Sequence, residues 1–273
     1  MRYVTFTHAG TTHVGELDGD TIYTLDWHDT LLALIRNGAQ PARTGASLAL
    51  ADVKLAAPII PGKIIAVGKN YGAHAKEMGG EVPPEPLLFS KYPSAVIGTG
   101  DAITWRTTLT SEVDWEGELG VIIGARGKEI AEADAYAHIF GYVAVNDVSA
   151  RDLQNRIDKQ WTRAKGLDTF CPLGPCVVTR DEIADPHNLS VRTEVNGDVM
   201  QDGNTNDMVY SIPQLIAFIS QAFTLEPGDL ILTGTPPGVG AGRTPPVFLK
   251  DGDVVTVSVE GIGTISNPCR ILS

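Results

Sequence analysis

The sequence predicts a mainly β protein of the α+β class, with a small N-terminal domain over residues 1–57 and a larger one over residues 58–273. Short apolar runs recur along the chain, glycine and proline punctuate them, and few stretches place apolar residues at helical spacing. A length of 273 residues suits one large domain with a small appendage and is ample for a core.

Residues 2–7, 12–17 and 21–25 read as strands separated by turn signals such as Asp18-Gly19-Asp20. A short helix follows, capped by Asp29 or Thr30, carrying Leu31, Leu32, Leu34 and Ile35 as its apolar stripe, and stopped by Asn37-Gly38. Pro58-Ile59-Ile60-Pro61-Gly62 reads as a linker, because two prolines and a glycine in so short a span break regular structure.

Residues 63–68 form a strand leading to Asn70-Tyr71-Gly72-Ala73-His74-Ala75-Lys76-Glu77-Met78, whose second part is a weak helix halted by Gly79-Gly80. The Pro-rich residues 81–86 are irregular and expected to move. Strands then dominate, at 87–90, 118–124, 140–146, 189–196, 229–234 and 253–259, with Asn196-Gly197 a type I′ hairpin turn. Two helices remain. One is capped by Ser149, with Asp152 in the capping-box position, and runs through Leu153 and Ile157; the other opens at Ser211 and aligns Ile212, Leu215, Ile216 and Ile219 on a core face.

Lys and Arg total 21 against 33 Asp and Glu, a net charge of −12, which disfavours nucleic acid and anionic membrane as partners. No apolar stretch has transmembrane length, and the N-terminal residues lack the apolar centre of a signal peptide, so a soluble, cytoplasmic protein is expected. Cys171, Cys176 and Cys269 follow no metal or redox spacing and read as buried, reduced thiols.

The chemistry concentrates in three carboxylates. Glu116 and Glu118 stand two apart at the head of an apolar strand, where side chains at i and i+2 share a face, and Gly117 leaves the opposite face bare. Asp147 closes another apolar run. A pair of glutamates two apart is more often a solvated strand face. Here both runs continue into sequence typical of buried strands, where like charges would be costly without a cation. Three oxygen ligands without His or Cys suit Mg²⁺ or Mn²⁺, with Ca²⁺ as a substitute, and suit zinc poorly. Such a site leaves the remaining octahedral positions to water or substrate.

Asn70-Tyr71-x-x-His74, Glu116-x-Glu118, Asn146-Asp147-Val148-Ser149-Ala150-Arg151-Asp152, Lys165 and Thr233-Gly234-Thr235-Pro236 occur in one order along the chain. This ordered set, from about residue 58 onward, resembles the fumarylacetoacetate hydrolase family. The resemblance implies a rolled mixed β-sheet fold, a homodimer, and a divalent cation held by Glu116, Glu118 and Asp147. It further implies action on small 2-oxo or diketo acids, with Lys165 beside the enolate, and with Tyr71, Arg151, Gln154 and Thr235 at the substrate. His74 and Glu77 would form a catalytic pair on a closing lid. Lys69 and Asn70 stand where longer, eukaryotic-type fumarylacetoacetases carry a further carboxylate, so the shorter bacterial type of member fits better.

The expected chemistry is C–C bond cleavage, by acylpyruvate hydrolysis or oxaloacetate-type decarboxylation, with Glu77 fixing a water for His74. Isomerisation or decarboxylation of the dienedioates of aromatic catabolism comes second. A non-catalytic metal or metabolite-binding protein is the rival from another class. The glycine-rich Gly234–Gly242 stretch lacks the Gly-Lys-Ser/Thr ending of a phosphate loop, and nothing in the sequence links Ser149 to His138 as nucleophile and base.

Overall fold

The computed structural model describes residues 1–158 and 160–273. Among these, a twelve-stranded mixed sheet forms the backbone of the molecule. Its path runs from Arg43–Ala49 through Thr21–Leu25, Thr11–Asp18 and Arg2–His8 to Cys171–Thr179, Ile139–Asn146 and Gly117–Ile123, and then through Leu230–Leu232 and Ile64–Gly68 to Leu87–Lys91. Most neighbours are antiparallel, whereas Leu230–Leu232 runs parallel to Ile64–Gly68.

The N-terminal segment extends this sheet. Tyr3 on Arg2–His8 lies opposite Val177, and Val4, Phe6 and Ile22 share one apolar core with Leu119, Val121 and Tyr142.

A five-stranded sheet, ordered Asp198–Asn204, Ser190–Val195, Val254–Val259, Gly263–Ile271 and Ile103–Trp105, packs against the large one. It comes close at Gly117, where a Cβ would fall 2.3 Å from Thr193 Oγ1 and 3.1 Å from a Val257 methyl. The face opposite the two glutamates is therefore not bare, as the sequence reading had it. It is filled by the second sheet, and glycine is what lets that sheet approach.

The helices follow their sequence signals. Leu31–Asn37 is capped by the Thr30 hydroxyl, which accepts from the Ala33 N–H, and ends on Gly38 at φ 59°. Ile212–Ala222 opens with a full capping box between Ser211 and Gln214 and buries Ile212, Leu215, Ile216 and Ile219. Asn196 and Gly197 both take positive φ, as a type I′ turn requires. Ser149 is a correction. It lies in the two-residue strand Ser149–Ala150 and donates to the Asp147 carbonyl, while Asp152 caps the helical turn Leu153–Ile157. No helix is long and apolar enough to cross a membrane among the described residues, and Cys171, Cys176 and Cys269 are free and buried.

Candidate active site and metal centre

Adjacent antiparallel strands bring the three carboxylates together. Gly117 pairs with Asn146, the Asp147 N–H donates to the Glu116 carbonyl, and the Asn146 side chain accepts from the Glu116 N–H. Glu116, Glu118 and Asp147 are each at most 5% exposed, and each offers an oxygen within 4.8 Å of the others.

Cations surround this cluster unevenly. Lys165 Nζ stands 2.6 Å from Glu116 Oε2 and 2.8 Å from Asp147 Oδ2. Lys91 Nζ holds the other Asp147 oxygen at 2.5 Å and also donates to the Val148 carbonyl. Arg151 places Nη2 2.7 Å from Glu116 Oε1, Nε 2.8 Å from Asp114 Oδ2, and donates through Nη1 to Gln154. Glu118 receives only the Gly234 N–H, at 2.8 Å, with no ion pair among the described residues.

The electrostatics follow from that asymmetry. Burial works against the Glu116 carboxylate, but the charges of Lys165, Arg151 and His74 outweigh it and hold its pKa well below the usual range. Burial, with the like charges of Asp147 and Glu116, pushes Glu118 well above it. Lys165 is raised although burial opposes its charge, because Asp147 and Glu116 flank it. The group that cannot settle its charge is thus the one the protein leaves without a cation. A hard divalent ion bound by all three carboxylates supplies what Glu118 lacks, so the donor set fits such an ion.

Beside the cluster lies a cavity of about 120 Å³, lined by His74, Glu116, Glu118, Arg151, Gln154 and Lys165 among others. That is small against the hundreds of Å³ typical of drug-sized ligand sites and suits a small acid. His74 and Glu77 lie on the helix Gly72–Glu77, with Nδ1 3.3 Å from Glu77 Oε2, while both Glu77 oxygens accept from the Gly238 N–H at 2.9 and 3.1 Å. The sequence reading lets Glu77 hold either the imidazole itself or a water between the two. In the structure Glu77 faces the imidazole directly and is tied to the loop after Leu230–Leu232.

Thr235 also lines the cavity, but its hydroxyl donates to the Gly117 carbonyl and accepts from Gln201. Tyr71 does not line it. Its ring is fully buried, its hydroxyl has no hydrogen-bond partner among the described residues, and burial followed by the Glu118 charge raises its pKa.

Two supporting residues escape the sequence reading. Lys91 sits one residue past the expected end of its strand, yet Phe89 and Lys91 alternate onto the buried face, which is the signal that could have found it. Asp114 accepts from the Gly240 and Ala241 N–H groups as well as from Arg151, and so ties the loop beyond Gly238 to the cluster. Its signal is only its place two residues before Glu116.

Comparison with known proteins places the chain among relatives of one kind. The fumarylacetoacetate (FAA) hydrolase C-terminal family matches residues 63–270, and the Rv2993c-like N-terminal family matches residues 1–58. The oxaloacetate tautomerase YisK of Bacillus subtilis (strain 168) is 51% identical over 222 residues, 80% of this chain and 73% of that protein. A fumarylacetoacetate hydrolase from Exiguobacterium antarcticum superposes with a TM-score of 0.92 at 41% identity, over 100% of both chains. A 2-hydroxyhepta-2,4-diene-1,7-dioate isomerase from Mycobacterium marinum does so at 0.84 and 40% identity, over 99% of this chain and 98% of that one. The chain belongs to the fumarylacetoacetate hydrolase family of enzymes.

Proposed function

We propose that this enzyme acts on a small 2-oxo acid through its enolate, and that its first reaction is the enol–keto interconversion of oxaloacetate or a close analogue. The observation that carries the reading is the His74–Glu77 pair beside a cavity walled by Glu116, Glu118 and Lys165. Glu116, Glu118 and Asp147 would hold Mg²⁺ or Mn²⁺. When bound, that ion supplies Lewis-acid stabilisation of negative charge on the 2-oxo oxygen.

The residues of the chain do the rest. Glu77 engages Nδ1 of His74, which leaves Nε2 as the nitrogen that exchanges a proton with C3 of the substrate. In the keto-to-enol direction His74 takes the C3 proton, the C–H pair becomes the C2–C3 double bond, and the proton returns to the enolate oxygen. Lys165, fixed between two carboxylates, keeps a positive charge beside that oxygen. Arg151 and Gln154 on the cavity wall orient the carboxylate next to the carbonyl.

Because Glu77 is occupied by His74 and the Gly238 amide, direct proton transfer ranks above attack by a positioned water. Decarboxylation of oxaloacetate passes through the same enolate and comes next, with acylpyruvate hydrolysis after it. Isomerisation of a hydroxy-dienedioate needs the same base over a longer carbon frame, and the likeness to the M. marinum isomerase favours it as the second reading. A homodimer and a cytoplasmic location belong to the same reading, and sedimentation at micromolar concentration showing only the monomer would remove the dimer.

The test is a substrate panel of oxaloacetate, acylpyruvates and hydroxy-dienedioates with and without Mg²⁺ or Mn²⁺. Metal-dependent turnover of at least one, lost in Glu116→Ala protein that remains folded, supports the reading. No turnover of any member overturns it.

A further inference from the structure

The buried charges around the cluster do not balance. Asp114, Glu116, Glu118 and Asp147 face Lys91, Arg151 and Lys165, four carboxylates against three cations, all buried, while His74 is matched by Glu77 beside it. With all four carboxylates ionised, as metal binding requires, this leaves one negative charge. A divalent ion turns it into one positive charge, and the carboxylate of a 2-oxo acid cancels that. A substrate with a second carboxylate would leave a further negative charge inside a small cavity, where an unpaired charge is costly.

One more cation lines that cavity. Lys69 stands on its wall with Gly68, Asn155 and Trp161. Its ammonium lies beside Gly80, where an added Cβ would come within 2.8 Å of Nζ, and no carboxylate reaches it within 4.0 Å among the described residues. Lys69 also takes φ 58°, the left-handed region that a lysine adopts only at a cost. Of the non-glycine residues with positive φ, it alone lines the cavity. Next to it the Trp161 ring packs so closely on Gly68 that a Cβ there would fall 2.6 Å from it.

We infer that Lys69 is the specificity residue of the site: it receives the distal carboxylate of the substrate and so selects dicarboxylic 2-oxo acids over 2-oxo acids with an uncharged tail. The inference rests on the proposed 2-oxo acid reading and deepens it. It places no demand on which bond reacts, since Lys69 would anchor the end of the substrate away from the 2-oxo group.

Two unreactive ligands isolate the effect. Oxamate presents a 2-oxo-acid head alone, and N-oxalylglycine presents the same head with a distal carboxylate. Calorimetric titration of the Mn²⁺-loaded protein should show N-oxalylglycine binding roughly tenfold or more tighter than oxamate, the scale of a charge-assisted contact. Lys69→Met should erase that preference while oxamate binds as before, and Lys69→Arg should restore most of it. If the wild type binds both ligands alike, or if Lys69→Met weakens both equally, Lys69 merely supports the wall and the inference is wrong. If the wild type binds neither, the 2-oxo acid reading falls, and this inference with it.

Discussion

Lys91 and Asp147 form a buried ion pair, Nζ 2.5 Å from Oδ1, with side chains 0% and 1% exposed. Asp147 is thereby gripped from two sides, since Lys165 holds its other oxygen. Lys91 acts on the site through Asp147 and lies outside the cavity lining, so it is a positioning residue.

Lys91→Met should accordingly destabilise the metal-free protein by about 1.5–3 kcal/mol, the scale of losing one charge-assisted hydrogen bond while Lys165 still holds the other Asp147 oxygen. Urea denaturation measures it. A loss under about 1 kcal/mol would mean that Lys165 alone suffices to hold Asp147.

Glu118→Gln should have opposite effects with and without metal. Burial and like charges make ionised Glu118 unfavourable, so the neutral variant should unfold at a higher temperature than wild type when both are stripped of metal. Divalent ion at a hundred times its Kd should stabilise the wild type by about 2.7 kcal/mol and the variant by far less. Thermal melts with and without Mn²⁺ read both signs.

The carboxylate cluster is legible in the sequence because each member sits at the edge of an apolar run, where an uncompensated charge would be costly. Thr30, Gly38, Ser211 and Asn196-Gly197 are legible for a similar reason: caps and turns are local chemistry. The strand Cys171–Thr179 is not, because Pro172, Gly174 and Pro175 mark it as broken, and only its central place in the large sheet overrides that signal. The strand Gly263–Ile271 hides in the same way behind Pro268 and its alternating polar residues. Asp114 and Lys69 are harder to read for a different reason. Asp114 matters through a partner more than 30 residues away and Lys69 through a cavity wall, and neither leaves a local pattern, whereas Lys91 shows one only in the alternation of its strand.

His187 carries a pH effect remote from the site. It accepts the Ile212 N–H at the start of Ile212–Ala222, and burial holds its pKa below the ordinary value, with Asp185 opposing. The folded state therefore binds fewer protons than the unfolded chain. This contribution is complete above the ordinary histidine range near ~6.5 and is lost as pH falls through it. His187→Gln keeps an acceptor without a titration and should flatten the fall in stability between about pH 7.5 and 5.5. An unchanged slope would assign the acid sensitivity elsewhere.

For catalysis, His74→Ala should lower the rate of proton transfer by about 10²–10⁴ while the protein still binds Mn²⁺. Glu77→Gln should cost less, since the amide can still meet the Gly238 N–H and the imidazole. Equal losses in the two variants would indicate that Glu77 itself carries the proton.

The most direct measurement follows the enol absorbance of oxaloacetate at fixed free Mg²⁺ or Mn²⁺, with and without protein. The account predicts enol–keto interconversion well above the metal-only rate, abolished by chelation, lost in Glu118→Gln and restored in wild type by returning the ion. Undiminished interconversion by metal-stripped protein, or by Glu118→Gln, would contradict it.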